Sequence, residues 1–203
     1  MNFPVFFTGL IMYTHYFEIT KKPDQVLWAQ LMLDVEKLFK NLPTCEELKQ
    51  LGVENDDKII LSGPMGDKKP ICNTQRIAFN GDFLVGMGCE SFTLLPKKMD
   101  DSCKTDRKPY DFVVGAVLIL AYNRLHGIIN IRSDGDTDEW STPLKWVQQH
   151  ILPNAFLPVG IRCPIESPPL HTDSGLFEQS NKLKRFLDNL KDSESTIGDF
   201  YFS

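Results

Sequence analysis

A chain of 203 residues with 42% apolar residues can bury a sizeable core as one domain, or one domain with appendages. Its formal charge of −5 argues against general nucleic-acid binding, which needs a basic face. No segment has the roughly 20 consecutive apolar residues of a membrane-spanning helix.

Residues Phe3 to Phe17 are rich in aromatic and β-branched side chains around Gly9 and read as strands or an apolar arm. The stretch MNFPVFFTGLIMY lacks the basic flank and small-residue cleavage site of a signal peptide. Lys21-Lys22-Pro23-Asp24 opens a helix with Leu27, Leu31, Val35 and Leu38 on one face, running to about Asn41. Thr44 and Glu47 have the spacing of a capping box for a short helix ending at Gly52. Lys58–Ser62 reads as a strand. Gly63 to Pro70 reads as a loop that lacks the GK[ST] ending of a phosphate-binding loop. Gln75–Phe79 predicts a strand, Asn80-Gly81 a hairpin turn, and Phe83–Val85 the return strand. Ser91–Leu95 predicts a further strand, and Lys97 to Ser102 a polar connection.

The most informative stretch follows, from Cys103 to Trp140. Pro109 suits a first helical position, and Asp111 lies where the positive end of a helix dipole favours a carboxylate. From Phe112 to Tyr122 only Gly115 interrupts the apolar run, so Pro109–His126 predicts a helix buried all round, with His126 near its last carbonyls and Gly127 as its C-terminal cap. Ile128–Arg132 is a β-branched strand, and Ser133-Asp134-Gly135-Asp136 a turn. Trp140, Leu144, Val147 and Ile151 share a face of the next helix. Pro143 puts its start between Asp138 and Thr142, and Pro153 ends it. The helix is about 27 Å long at about 1.5 Å per residue, and the strand about 17 Å at about 3.3 Å per residue. A strand returning along the helix therefore brings Asp134, Asp136 and Asp138 to the side of Lys104, Arg107 and Lys108, across a gap of roughly 10 Å.

The succession CKTDRKPYD, apolar helix, SDGD, EW resembles a module of small soluble proteins with no assigned activity, over roughly Gln75 to Ile151. The resemblance implies that the Cys103–Asp111 and Ser133–Trp140 segments act together, and it transfers no catalytic role.

Beyond Ile151, Pro153, Pro158, Pro164, Pro168 and Pro169 punctuate a surface connector. A last helix, capped by Asp173 or Ser174, presents Leu183, Phe186, Leu187 and Leu190, and an acidic, aromatic tail closes the sequence. Three segments follow: an N-terminal arm with helices packing on the core (1–53), a central α+β core (54–152), and a Pro-rich connector with C-terminal helix and tail (153–203). The fold class is α+β, a small antiparallel sheet against a buried central helix with flanking amphipathic helices.

Cys45, Cys72, Cys89, Cys103 and Cys163 are odd in number, scattered and without a CxxC pair, which predicts reduced thiols, a cytoplasmic location and no zinc site. Cys103 beside Lys104 and Arg107 could be a reactive thiol. It lacks an evident base, because His126 belongs at the far end of the helix, and a packed thiol is the preferred reading.

Asp134, Asp136 and Asp138 have the spacing of hard-cation ligands for Mg²⁺ or Ca²⁺. The EF-hand pattern fails, with Glu139 at the turn glycine and Lys145 at the closing glutamate. A strand followed by DxD is also similar to haloacid-dehalogenase phosphatases and metal-dependent glycosyltransferases, although the phosphatase pattern wants Thr where Asp138 stands. The plainer reading, a solvated turn capping the next helix, is preferred, and no cofactor is expected. Lys104, Thr105, Arg107 and Lys108 precede a helix N-terminus, with Tyr110 as a further hydroxyl donor. They form either an anion site or a salt-bridge network with the acidic turn. Two function classes follow. The preferred one is a non-enzymatic binding or interaction domain for a small anionic ligand or an acidic or phosphorylated partner. The other is a metal-dependent enzyme acting on a phosphate or glycosyl group. No membrane association is expected, and the oligomeric state is open.

Overall fold

The structure, a computed structural model, describes residues 13–53, 57–66 and 69–163. The chain divides into two units, Met1–Pro164 and Ile165–Ser203, and the described residues all belong to the first. The expected N-terminal arm before Tyr13, the last helix and the tail lie outside them.

The fold is α+β, with antiparallel sheets against helices. At its centre is α3 (Asp111–Arg124), in which every residue from Val113 to Ala121 is buried. An all-apolar helix has no solvent face to spend, and here sheet and helices cover it on all sides. Leu125 ends it, and Gly127, at φ 75°, turns the chain back with Ile128 N–H on the Leu125 carbonyl. His126 does not reach the last carbonyls. It is exposed, its ring edge-on to Phe156.

The return strand is β7 (Ile129–Ser133). It pairs antiparallel with β1 (Thr14–Ile19), which pairs on its other edge with β6 (Met99–Lys104). The centre strand thus comes from the start of the chain, and its edge strands from far beyond it. His15, Phe17 and Ile19 of β1 face inward at period two, with Ile129 and Ile131 of β7 and Cys103 of β6. β6 corrects the expected polar connection at Lys97–Ser102. Asp100, Asp101 and Ser102 are exposed on an edge strand, so its sequence carries no inward alternation beyond Cys103.

A second, smaller sheet has β4 (Ile77–Gly81) as its hub. It pairs antiparallel with β2 (Leu61–Ser62), β3 (Ile71–Cys72) and β5 (Phe92–Leu94). The expected hairpin at Asn80-Gly81 is not formed: both residues continue β4, and 83–86 is a turn rather than a return strand. The reason is burial. Asn80 is fully buried, its amide donates to Cys89 O and Ser91 Oγ, and its Oδ1 accepts from the Gly81 and Cys89 N–H groups. It closes the 81–91 excursion instead of turning it. The strand expected at Lys58–Ser62 shortens to Leu61–Ser62.

Helix α1 (Gln25–Lys40) starts at the Asp24 cap and ends at Asn41, with Trp28, Leu31, Val35 and Leu38 buried. Arg124 Nε on Asp34 Oδ2 at 2.6 Å ties it to α3. Helix α2 (Cys45–Gln50) has the reciprocal Thr44–Glu47 capping box. Phe39, Phe79, Phe92 and Phe17 form a chain of ring contacts at 5.1 to 5.4 Å that joins α1 to both sheets.

Helix α4 (Thr137–His150) begins before the expected window, because Asp136 caps it with Oδ1 on the Asp138 and Glu139 N–H groups and Glu139 Oε2 returns to Asp136 N–H. Pro143 is therefore an interior residue. It forgoes one helical bond and sits against α3 at Gly115, where a Cβ would lie 3.3 Å from Pro143 Cγ. Beyond α4 the chain returns to the cap, with Thr137 N–H on Arg162 O at 2.9 Å. No helix among the described residues is long and apolar enough to cross a membrane.

None of the five cysteines is in a disulfide. Cys103 is buried with its thiol toward Glu90 O, and burial pushes its pKa far up, so the reactive-thiol reading is overturned. Burial also raises Cys72 to about 11. Alkylation of the native protein at neutral pH is therefore expected to label the exposed Cys163 first and to spare Cys103 until unfolding, read by peptide mass spectrometry over time. Early labelling of Cys103 would show that β6 opens readily.

Candidate functional site

A cavity of about 300 Å³ opens where five pieces of chain converge: the start of β1, the chain after α2, the turn before α3, the first turns of α3, and the first two turns of α4. This volume is at the lower end of small-molecule sites. Most of its wall is apolar, from Leu48, Val53, Ile59, Pro109, Phe112 and Pro143. The polar part comes from Tyr13, His15, Arg107, Lys108, Asp111 and Glu139, among others.

His15 sits on the core face of β1 and is 1% exposed. Its Nε2 lies 2.7 Å from Asp111 Oδ1, and its Nδ1 lies 3.0 Å from Ser133 Oγ. A carboxylate only accepts, so Nε2 donates to Asp111; Ser133 Oγ also accepts from Gly135 N–H. Thr105 Oγ1 adds a second donor to Asp111 Oδ1 at 2.5 Å. Tyr13 and Trp140 present their rings edge-on to the imidazole from either side, at 5.2 and 5.3 Å. The Tyr13 phenol is held above its ordinary range by burial and by the nearby Asp111 and Glu139 carboxylates. This network joins β1, β7 and α3 beneath the cavity. Ser133 does not line the cavity and its Oγ is held by Gly135 N–H, so the Ser133–His15–Asp111 series braces β1, β7 and α3.

The turn before α3 carries the basic residues. Asp106 and Arg107 stand at φ 50° and 54°, two successive non-glycine residues in the left-handed region. Each costs on the order of 1–3 kcal/mol, so the surroundings must hold them. Tyr13 O accepts from both the Thr105 and Asp106 N–H groups, and Lys108 N–H donates to Thr105 O. The strained pair swings the Arg107 guanidinium over the Tyr13 ring, 4.0 Å from its centroid, and puts Nε 2.9 Å from Glu139 Oε1.

The basic and acidic segments therefore do meet, through Glu139. None of Asp134, Asp136 and Asp138 pairs with a cation among the described residues. Asp134 Oδ2 accepts from Thr14 N–H, Asp136 caps α4, and Asp138 lies in its first turn. No group of three or more His, Cys, Asp or Glu side chains among the described residues is arranged to hold a metal.

Of the five expected ligand residues, Arg107 and Lys108 reach the cavity. Lys104 pairs with Asp106 at 3.5 Å, Thr105 is buried against Asp111, and the Tyr110 hydroxyl donates into the fold, toward Glu90 O and Lys104 O. The Arg107–Glu139 pair is half exposed on the arginine side, so Arg107→Ala is expected to cost only about 1 kcal/mol by urea unfolding, combining a weak surface pair with a cation–π contact. A cost several times larger would show that the pair is desolvated in solution.

Sequence reasoning missed His15, Tyr13 and the apolar wall. His15 has no local signal, because its partners Asp111 and Ser133 lie 96 and 118 residues away. Alternation with Phe17 and Ile19 was the available clue: a histidine at an inward position of an apolar strand needs partners across the sheet. Compared with known protein families, curated proteins and solved structures, the chain matches none.

Proposed function

We propose that the chain is a non-enzymatic binding domain for a small molecule that carries an anionic group on an apolar body. The observation that carries this is the cavity itself: apolar walls from Phe112, Ile59, Leu48 and Pro143, with Arg107 and Lys108 on one side. Lys108 forms no ion pair among the described residues. A cation left unpaired at the edge of an apolar cavity suits an incoming anion, and the apolar wall supplies affinity by burial. A cytoplasmic location belongs to the same reading and is supported by five cysteines none of which is in a disulfide.

The alternative, a metal-dependent enzyme acting on a phosphate or glycosyl group, has less support, because Asp134 and Asp136 are already engaged by backbone N–H groups.

Thermal melts with 3-phenylpropionate and 4-methylpentanoate, each against its neutral amide, test the proposal. At a hundredfold excess over Kd a ligand stabilises by about 2.7 kcal/mol, or roughly 5 to 11 °C for a chain of this size. The carboxylates are expected to shift the wild type, the amides far less, and Lys108→Ala is expected to lose the difference. Equal shifts from acids and amides would overturn the anionic reading.

A further inference from the structure

Asp111 lines the same cavity as Lys108, one turn further along the chain. Its Oδ1 is taken by Thr105 and His15, while its Oδ2 has no hydrogen-bond partner among the described residues, and the side chain is 24% exposed. Lys108 and Asp111 are three residues apart, linked by Asp111 N–H on Lys108 O at 2.8 Å, yet their side chains form no ion pair with each other. Asp57 also lines the cavity, and two of the other charges there are committed to partners. Arg107 Nε bonds Glu139 Oε1 and its plane covers Tyr13, while Glu139 Oε2 takes the Asp136 N–H. Lys108 and Asp111 Oδ2, of opposite sign and close in sequence, thus stand without a side-chain partner among the described residues beside an apolar chamber.

A simple anion drawn to Lys108 would sit close to Asp111 and be repelled by it. A positive or hydrogen-donating group on the same ligand turns that repulsion into a charge-assisted hydrogen bond. We infer that the ligand is a small zwitterion, an α-amino acid with an apolar side chain or a molecule of the same chemistry. Its ammonium donates to Asp111 Oδ2, its carboxylate meets Lys108, and its side chain lies among Phe112, Ile59 and Pro143. This rests on the binding-domain reading above and names the class of ligand for the same cavity.

Calorimetry on the full chain tests it with L-leucine and L-phenylalanine as probes. Each is compared with the acid lacking the amine (4-methylpentanoate, 3-phenylpropionate) and with the amide lacking the carboxylate (leucinamide, phenylalaninamide). The expected result is that each amino acid binds at least tenfold more tightly than both of its analogues. Acids that bind as tightly as the amino acids overturn the zwitterion inference and leave the anionic reading standing. Amides that bind as tightly as the amino acids, or no binding by any probe at millimolar concentration, overturn both. Asp111→Asn is expected to remove the advantage of the amino acids over the acids. Because the analogue series varies the ligand alone, it decides the question even where that variant fails to fold.

Discussion

Gly81→Ala is expected to cost about 3 kcal/mol or more in urea unfolding followed by far-UV circular dichroism. A Cβ on Gly81 would overlap the Met87 carbonyl oxygen and lie 2.8 Å from the Met87 carbonyl carbon and 2.9 Å from Tyr110 Cδ1. Neither neighbour is free to withdraw. Met87 N–H is bonded to Asp82 O, Cys89 N–H to the buried Asn80, and the Tyr110 hydroxyl to Glu90 O and Lys104 O. Overpacking of a filled interior costs about 1–3 kcal/mol and occasionally more, and a clash with fixed backbone belongs at the upper end. Gly86→Ala is the control. Gly86 is left-handed at φ 73° with nothing within 4 Å, so only the backbone penalty of about 1–2 kcal/mol applies. A Gly81→Ala cost no larger than that of the control would mean that the 81–91 loop shifts freely and that Asn80 does not anchor it.

His15→Ala is the second large effect, expected at about 3 kcal/mol. Losing the hydrogen bond to the Asp111 carboxylate costs about 1.5–3 kcal/mol, and the partial exposure of Asp111 moves that share to the low end. The deletion also leaves a void between Tyr13 and Trp140, whose ring edges face the imidazole. His15→Phe refills the space without the hydrogen bonds and should recover part of the loss, separating packing from polar contributions. A double-mutant cycle between His15→Ala and Ser133→Ala should show coupling of about 1 kcal/mol. If His15→Ala costs less than about 1 kcal/mol, the network is incidental to the fold.

Helices were legible wherever a cap and a periodic apolar face coincided. Asp24 with Leu31, Val35 and Leu38, and Thr44 with Glu47, are local chemistry, and the structure places both helix starts there. The all-apolar run of α3 could only be an interior helix. What failed was non-local. Asn80-Gly81 has turn composition, yet the side chain that favours a turn is spent on closing a loop ten residues further on. Asp100, Asp101 and Ser102 look like a connection because their strand sits on an edge and shows water three polar side chains. Pro143 misplaced the start of α4, since the space that tolerates an interior proline is supplied by Gly115 on another helix. At the site, two of the expected residues, Arg107 and Lys108, were legible as a basic cluster before a helix. Tyr110 was not, because burial rather than residue type decides where its hydroxyl points. The partner of Arg107 proved to be Glu139, the residue after the aspartates that drew attention.

The place of β1 at the centre of its sheet bears on how the protein is made. His15 cannot meet Ser133 until 118 further residues have been added. At about 5–20 residues per second that is a wait of roughly 6 to 24 s. During that interval Phe17 and Ile19 have emerged from the ribosome with neither β6 nor β7 to cover them. The smaller sheet, built from residues 61–94, is complete well before the larger one can close. A nascent chain arrested once Leu95 has cleared the exit tunnel, but before residue 133 has, should therefore be protease-resistant in the small sheet and cleavable near β1. It should also be a target for chaperones that hold extended apolar segments, and that demand should end once residue 133 clears the exit tunnel.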